Sequence, residues 1–515
     1  MVHNTNDLLI DSEMTSGYRN LRVAVYQGDA FYLDAPPFNP HISYPEYLFP
    51  TELSDRLNPA YESVRNCLYL LGLDSSTYGS SHWNPLGEYI HPGEKVILKP
   101  NFVLSSHRDG GNIYSIITHP SILRAIIDYT FIALHGQGAI IIADAPQMDC
   151  NFNELLRKTC LESIQELYSR LERFKIDILD LREFWLDTTT NNHNVYIGER
   201  RPLHGDYLGS KTINLGRKSC FYNVTDSGKY YGADYNRDET IRHHMGETHE
   251  YKISKSILDA DTLICVPKMK VHKKVGVTLN GKGMVGINSN KNYLVHYRLG
   301  TPRNGGDQFP DGFLTSQEGY LLEIQRYLFD TLLSKKLRVL NSIYMAMRLL
   351  YRGFLKPILG SIDPEKLNID GGNWHGNDSA WRMVVDLMRI VTYSDRDGIL
   401  QDRPQRKILS VIDGIIGGEG NGPLTPTEKK VGVVLVGSNL LATDIVATRL
   451  MGFNWERIKY FSYLLENKEF PFFVENVNNI RICSNVPEFK EIFRTDDRCL
   501  SFIAHPGWQG YIELT

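Results

Sequence analysis

The sequence predicts an α/β fold with a mainly parallel sheet flanked by helices. Two observations predict it. Short apolar segments recur along the chain, and each is continuous rather than alternating, which is typical of strands covered on both faces. Helical segments lie between them, and strands that alternate with helices favour parallel pairing. In such a sheet we expect functional loops at the carboxyl ends of the strands.

Six segments carry the strand pattern: Arg22–Tyr26, Lys95–Leu98, Ala139–Ala143, Thr262–Val266, Ile408–Ile412 and Val431–Val436. Two helices are predicted between them. Pro120–Leu134 begins with proline and is followed by Gly136, and Asn439–Met451 is followed by Gly452. Proline near the start of a helix and glycine just past its end are typical of helix boundaries.

Two regions interrupt the alternation. Residues 180–250 are polar and rich in turn residues, and residues 287–400 form a long block between two strand signals. We interpret the block as a large inserted loop and helix region over the carboxyl edge of the sheet. The predicted organisation is therefore an α/β core over residues 20–286 and 400–460, the insertion over 287–400, and a C-terminal extension, residues 461–515, packed on the core.

The composition excludes several classes of protein. With 42% hydrophobic residues, 23% charged residues and a net charge of -4, the chain lacks the basic field that attracts nucleic acid. Its 7 cysteines form no CxxC pair, so we expect neither a zinc ribbon nor an iron–sulfur cluster. The polar N-terminus does not resemble a signal peptide, and no apolar run is long enough to span a bilayer. We therefore expect a cytoplasmic protein.

Polar residues follow two of the predicted strands. Lys99 and Asn101 come directly after the second strand, where they would point a cation and an amide into a site, or would form a solvated turn. Asp144 comes directly after the third strand. A carboxylate at such a position commonly serves as a metal ligand, a base or a ribose partner, and it is equally common as a helix cap.

The densest cationic motif follows the fourth strand. If the chain stays extended there, Lys268, Lys270 and His272 share one face, because side chains alternate with a period of two. Two ammonium groups and an imidazole on one face repel each other unless an anion lies between them. Lysines on an exposed edge strand would be the harmless alternative. The position after a buried strand favours anion binding.

Two glycine-rich segments come later in the chain. Gly281–Gly286 matches the GxGxxG pattern, but no helix pattern follows it, so we do not favour a dinucleotide site. Its backbone and Lys282 would instead cradle an anion, or form a flexible turn. Residues 413–423, after the fifth strand, hold oxygen donors suited to magnesium or sugar hydroxyls. These donors are Asp413, Glu419 and Asn421, and a tight surface turn is the alternative.

The insertion contains two polar, aromatic segments, His296–Pro302 and Asn373–Asp378. A guanidinium, an imidazole and a carboxylate so close together suit anion binding or acid–base chemistry, and a tryptophan would stack on a sugar. The candidate residues are Arg298, Trp374, His375, Asn377 and Asp378. The alternative is a structural loop with Asp378 as a helix cap.

Two further features have a structural interpretation that we prefer. His243, His244 and His249 would hold a metal only if they converged, and neighbouring histidines on a strand point to opposite faces. The basic and apolar stretch Lys335–Leu359 is typical of a core helix with solvated arginines, although a helix lying on a membrane surface has the same composition.

Taken together, the ordered motifs resemble the domain-of-unknown-function 362 family over about residues 20–460. The residues that carry the resemblance are Lys99–Asn101, Asp144–Pro146, Pro267–His272, Gly281–Gly286, Asp413–Pro423 and Thr443–Ala447. The resemblance implies an α/β domain and no specific activity. Two features depart from the family pattern: the ferredoxin-like cysteine segment of many members is absent, and Lys282-Gly283 stands where members commonly have Lys-Asn.

The hypothesis from sequence is an enzyme that acts on a small anionic or sugar-phosphate-like molecule. Four lysines would neutralise the anion, Asp144, Glu419 and Asp378 would hold a divalent metal such as Mg²⁺, and His272, His375 and Asp413 would transfer protons. The lysines are Lys99, Lys268, Lys270 and Lys282. Group transfer, hydrolysis and racemisation stay open. A non-catalytic anion-binding protein and a peripheral membrane partner in a surface-polysaccharide pathway are the alternatives.

Overall fold

A central sheet of 10 strands organises the part of the chain that the computed structural model describes. The structure describes residues 17–171, 174–187, 199–234, 236–315, 318, 368–495 and 499–514. The strands are β1 (Arg22–Gln27), β2 (Lys95–Pro100), β3 (Ala139–Asp144), β4 (Ile176–Asp180), β5 (Phe184–Asp187), β6 (Glu199–Pro202), β7 (Ser210–Asn214), β8 (Tyr230–Gly232), β9 (Glu250–Ser254), β10 (Thr262–Val266), β11 (Lys268–His272), β12 (Gly276–Val277), β13 (Val295–Arg298), β14 (Lys407–Glu419), β15 (Thr427–Gly437) and β16 (Arg481–Ser484).

Helices cover the sheet. They are α1 (Pro59–Leu70), α2 (Pro120–Leu134), α3 (Phe152–Thr159), α4 (Glu162–Tyr168), α5 (Arg237–His243), α6 (Lys255–Asp259), α7 (Leu279–Gly283), α8 (Ala380–Tyr393), α9 (Leu440–Leu450), α10 (Lys459–Glu466) and α11 (Pro487–Lys490). The two predicted helices are α2 and α9. The side chains of His119 and Asn439 cap them by accepting from the backbone N–H of Ser121 and Ala442, which satisfies donors that the first turn leaves free.

The sheet is mainly parallel, as predicted. Strands β14, β10, β2, β3 and β4 run side by side and parallel, and β11 continues next to β14 in the same direction. Strand β15 is antiparallel to both β14 and β1, and β16 lies parallel to β1 at the edge. All six predicted strands belong to this sheet.

Alternate residues of the strands enter two separate hydrophobic layers. In β2, Val96 and Leu98 lie in one layer with α1 and α2, whereas Ile97 lies in the other layer with α8 and α9. The continuous apolar pattern arises because both faces of the strand are covered. Each fully buried aliphatic side chain of this kind contributes about 1.5–3 kcal/mol to folding.

The glycine-rich segment after Ile412 is a strand and not a loop, which corrects the expectation from sequence. Strand β14 continues to Glu419 and pairs with β15, with a register shift between Gly414 and Ile416. Its glycines are required because a side chain would not fit: a Cβ at Gly418 would lie 2.5 Å from the carbonyl oxygen of Ser115. The close approach of other chain segments, rather than a turn, accounts for glycine here.

The insertion and the C-terminal segment contact the core. Helix α8 packs against the turn Met284–Ile287 and against β13, and the indole N–H of Trp508 donates to the carbonyl oxygen of Lys273 at 2.8 Å. The basic stretch Lys335–Leu359 lies outside the described residues. The division into core, insertion and extension stays a prediction. None of the helices in the described ranges has the length and apolar character needed to cross a bilayer.

Candidate functional site

The ends of β2 and β3 place a buried ion pair at the carboxyl edge of the sheet. Lys99 Nζ and Asp144 Oδ1 are 2.9 Å apart, and both side chains are almost completely buried. Asp144 Oδ2 also accepts from the backbone N–H of Phe102 at 2.7 Å. Burial raises the pKa of Asp144, and the ammonium of Lys99 opposes that rise. Asp144 is therefore held by the protein rather than open to solvent.

Gly286 brings the GxGxxG segment directly over this pair. A Cβ at residue 286 would lie 1.8 Å from Asp144 Oδ1 and 2.6 Å from Lys99 Nζ. The Gly286 carbonyl accepts from the backbone N–H of Ala145 at 2.8 Å. Three motifs that are far apart in sequence thus meet at one point, and only glycine fits at their junction.

A second buried ion pair joins β11 to β14. Lys268 Nζ lies 3.0 Å from Asp413 Oδ2, and both side chains are fully buried. The Tyr32 hydroxyl donates to Asp413 Oδ1 at 2.5 Å and lies 2.6 Å from Lys268 Nζ, while the backbone N–H of His119 donates to Asp413 Oδ2 at 3.0 Å. Both oxygens of Asp413 are occupied, so this carboxylate positions Lys268 and Tyr32.

Three more buried lysines lie within electrostatic reach of these pairs or of one another. Lys270 Nζ donates to the carbonyl oxygen of Ile116 at 2.6 Å, and Lys291 Nζ donates to that of Ala145 at 2.8 Å. Within the described ranges, Lys282 Nζ has no hydrogen-bond or ion-pair partner. We call Lys99, Lys270, Lys282 and Lys291 the lysine cluster.

Burial lowers the pKa of the amines of Lys270, Lys282 and Lys291. Burial lowers the pKa of Lys282 and of Lys291 to about 7. Burial, with the charges of Lys268 and Lys282, lowers the pKa of Lys270 well below its ordinary value. The charges of Lys282 and Lys99 also lower the pKa of Lys291, so Lys291 lies within electrostatic reach of both.

Two imidazoles border Lys282. His272 Nδ1 accepts from the backbone N–H of Lys274 at 3.1 Å, which places the proton of the neutral ring on Nε2. Burial, with Lys282 next in size, lowers the pKa of His272 well below its ordinary value. His296, on β13 of the insertion, is half-buried and is also within electrostatic reach of Lys282. His272 is therefore a neutral imidazole beside the free amine.

Asp444 holds the short helix that carries Lys282. Its carboxylate accepts from the backbone N–H groups of Asn280 and Gly281, each at 2.9 Å, and from Asn280 Nδ2 at 2.7 Å. Burial raises the pKa of Asp444 to about 7. Helix α7 begins at Leu279, whose φ of 42° is left-handed, a conformation that persists only where the surroundings impose it.

The structure does not gather the three carboxylates that were predicted to hold a metal. Asp144 pairs with Lys99, Glu419 lies 3.1 Å from the ammonium of Lys429, and Asp378 lies 3.0 Å from the guanidinium of Arg382. The three histidines near residue 245 form no metal site either. Across the part of the chain that is described, no group of three His, Cys, Asp or Glu side chains suits a metal ion.

The predicted residues of the insertion form a neighbouring cluster with structural contacts. Ser379 rather than Asp378 stands at the N-terminal cap of helix α8, and Asn377 Oδ1 accepts from the backbone N–H of Ala380, its first residue, at 2.8 Å. Trp374 Nε1 donates to the carbonyl oxygen of Asp307 at 3.0 Å. Asn377 Nδ2 also donates to the carbonyl oxygen of His296 at 3.1 Å, which connects this cluster to the imidazole beside Lys282.

The remaining predicted residues are Arg298, His375, Asn101 and Asn421, and each has its own surroundings. Arg298 pairs with Asp378 at 3.2 Å, and the ring of His375 stacks on that of Tyr511 with centroids 4.0 Å apart. Asn101 Oδ1 is buried without a hydrogen-bond partner in the described part of the chain. Asn421 is exposed.

Several residues of the site were not predicted. Tyr32 lies in an irregular segment before α1, and its ring stacks on His119 with centroids 4.0 Å apart. Nothing in the local sequence marks Tyr32. His119 directly precedes the proline that begins α2. It lies in the segment that follows β2, and the end of that strand was already predicted to carry site residues. Its position could therefore have marked His119 as a candidate. Lys291 lies just after the GxGxxG segment, where the sequence shows no helix pattern.

Comparison with known proteins gives one match. The family model described as "Domain of unknown function (DUF362)" matches residues 186–449, just over half of the chain. The match contains Lys268–His272, Gly281–Gly286, Asp413 and Asp444, while Lys99 and Asp144 precede it. No curated protein and no solved structure matches the chain. The chain belongs to the DUF362 family.

Proposed function

We propose that the protein is an enzyme acting on a small anionic molecule, of the sugar-phosphate or carboxylate class, which binds at the lysine cluster. The observation that carries the proposal is Lys282, a buried side chain whose Nζ has no hydrogen-bond or ion-pair partner within the described ranges. It lies within electrostatic reach of Lys270, Lys291, His272 and His296.

Electrostatics supports an anionic ligand. Removing an ammonium group from water costs several kcal/mol unless an opposite charge accompanies it. Asp144 is paired with Lys99, and the carbonyl oxygens that accept from Lys270 and Lys291 carry no full charge. A bound anion would offset the cost for all three unpaired amines at once. It would also be held by groups that are already oriented.

The protonation of the site supports catalysis over simple binding. A group that transfers protons works best when its pKa lies near the working pH, and burial brings the pKa of Lys282 to about 7. The neutral imidazole of His272 next to it offers a second proton carrier. A protein that only binds anions is better served by cations of ordinary pKa. Perturbed groups of this kind are characteristic of active sites.

The alternatives from sequence lead to different expectations. A non-catalytic phospholigand-binding protein would use the same lysines without turnover. We also propose a cytoplasmic location, supported by free buried cysteines such as Cys67, Cys150 and Cys265, because reducing compartments keep thiols in that state. Peripheral membrane association would depend on residues 335–359, outside the described part.

The test begins with binding. Inorganic phosphate, a triose phosphate and pyruvate are titrated into the protein by calorimetry, with and without Mg²⁺, using the wild type and Lys282→Met. Lys430→Met is the matched control, since Lys430 is an exposed lysine with 61% of its side chain accessible. We expect the Lys282 variant to lose at least about tenfold in affinity, or 1.4 kcal/mol, and the control to lose none.

Turnover is then sought by ¹H NMR of a defined mixture of sugar phosphates and oxo acids incubated with each protein. Conversion by the wild type and the control, without conversion by Lys282→Met, supports the enzyme. Binding without conversion supports the non-catalytic alternative. If no anion binds, or if both variants lose affinity equally, the proposal is wrong.

A further inference from the structure

We propose that Lys282 is a nucleophilic amine that forms an imine with the carbonyl group of an anionic substrate. This inference rests on the proposed function and narrows its substrate class to small oxo acids or keto phosphates. Three observations carry it: the freedom of this one amine, the rigidity of the turn that bears it, and the arrangement of charged and neutral groups around it.

Lys282 differs from the other buried lysines of the site in having its nitrogen free. Lys99 is tied to Asp144 and Lys268 to Asp413. Lys270 and Lys291 direct their N–H groups to backbone carbonyls. An amine that attacks a carbonyl needs an available lone pair, and an ammonium held in an ion pair does not have one. Within the described ranges, Lys282 alone in the lysine cluster has no such tie.

The turn that bears Lys282 is fixed from two sides. Asp444 accepts from the backbone N–H groups of Asn280 and Gly281. On the other side the turn rests on a side chain of α10, because a Cβ at Gly281 would lie 2.9 Å from the ring of Tyr460. A reacting group must be held to within a fraction of an ångström for an efficient reaction, and this anchoring holds the backbone of Lys282 in place.

The surroundings suit imine chemistry at neutral pH. A lysine becomes nucleophilic when it is desolvated or lies next to other cations, and Lys282 is buried with Lys270 and Lys291 nearby. A nearby anion favours the ammonium form of a lysine, so Lys270 and Lys291 would hold the anionic group of the substrate. The substrate carbonyl would then face the amine, and the imidazoles of His272 and His296 would carry protons.

The reaction balances without any oxidant or reductant. The neutral Nζ forms a bond to the carbonyl carbon, and the carbonyl oxygen takes the proton that leaves nitrogen, which gives a carbinolamine. A second proton, taken up from solvent and relayed by an imidazole, lets the oxygen leave as water, and the nitrogen lone pair forms the C=N bond. The products are the protonated imine and one water molecule.

The experiment traps that imine. Full-length protein is incubated with pyruvate and sodium cyanoborohydride, which reduces an imine to a stable secondary amine, and the modified residue is located by peptide mass spectrometry. We expect a single reduced adduct on Lys282, at least tenfold more abundant than on the exposed Lys430 or Lys95. Inorganic phosphate should protect Lys282, and acetone, which lacks the anionic group, should label it far less.

Two variants complete the test. Lys282→Arg keeps a cation without a nucleophilic amine, and Lys282→Gln serves if the arginine variant does not keep the wild-type melting temperature. Both should lose the adduct, and the arginine variant should retain phosphate binding. No adduct on Lys282, or labelling no greater than that of exposed lysines, overturns the imine while phosphate binding leaves the proposed function standing. Absence of phosphate binding by the wild type overturns both.

Discussion

The buried pair Lys268–Asp413 shows how much one residue's surroundings determine its role. From sequence, Asp413 was a candidate base or ligand-binding group at the edge of a loop. In the structure its two oxygens accept from Tyr32, His119 and Lys268. A carboxylate with both oxygens occupied cannot also bind a substrate without losing partners. Its task is to neutralise Lys268, and this role has a measurable consequence for stability.

Replacement of Asp413 by Asn should lower the free energy of unfolding by about 3–5 kcal/mol, because it leaves the Lys268 ammonium buried without its counter-ion. Urea unfolding measures this loss. Asp34→Asn is the control, since Asp34 pairs with Arg56 on the surface with 77% of its side chain exposed, and exposed pairs contribute about 0–1 kcal/mol.

A double variant, Lys268→Met with Asp413→Leu, removes both charges and should recover much of the stability that Asp413→Asn loses, because an apolar pair of similar volume is often equivalent to a buried ion pair. If Asp413→Asn destabilises the protein no more than the surface control does, the pair is not buried as described. The account of Asp413 as a positioning residue would then fail.

At the scale of elements, the segment from α7 to Gly286 joins the parts of the site. Asp444 of α9 holds the start of α7, Lys282 points from that helix into the cluster, and Gly286 lies against the end of β3. The backbone of this segment is placed by contacts from three sides. A change that adds a single methyl group at its tightest point should therefore disturb the lysine cluster.

Gly286→Ala is that change. The added Cβ would meet the Asp144 carboxylate, so either the carboxylate leaves Lys99 or the segment shifts. We expect a loss of about 1–3 kcal/mol in unfolding free energy, as for other overpacked sites, together with weaker phosphate binding measured by calorimetry. Gly228→Ala is the control, because a Cβ there meets no atom within 4 Å. Equal behaviour of the two variants would contradict the described junction.

At the scale of the whole molecule, the sheet brings together residues from distant parts of the sequence. Parallel strands end at one edge, so the ends of β2 and β3 and the start of β11 are neighbours although the chain between them is long. The six strands and two helices were predictable because they depend on local patterns of apolar residues and caps. The pairing of Lys99 with Asp144 followed from the parallel order of β2 and β3.

Other features were not predictable because they depend on contacts made only in the folded chain. The glycines in β14 suggested a loop, since glycine weakens isolated strands. In the structure they are needed because other backbone segments approach the strand too closely for a side chain. Glu419 and Asp378 suggested metal ligands, yet each pairs with a lysine or arginine that no sequence pattern assigns to it. Tyr32 comes from an irregular segment, and only tertiary packing brings it to Asp413.

The most direct test of the central claim is the titration of Lys282 in the ligand-free protein, followed by NMR of its ¹³Cε-labelled side chain and assigned with Lys282→Met. Because burial without a counter-ion disfavours the ammonium form, we predict a midpoint near pH 7, as burial lowers the pKa to about 7. Saturating phosphate should raise the midpoint, since an anion stabilises the ammonium. A midpoint at the ordinary lysine value of 10.5, unchanged by phosphate, would contradict a buried, unpaired amine at the centre of an anion site.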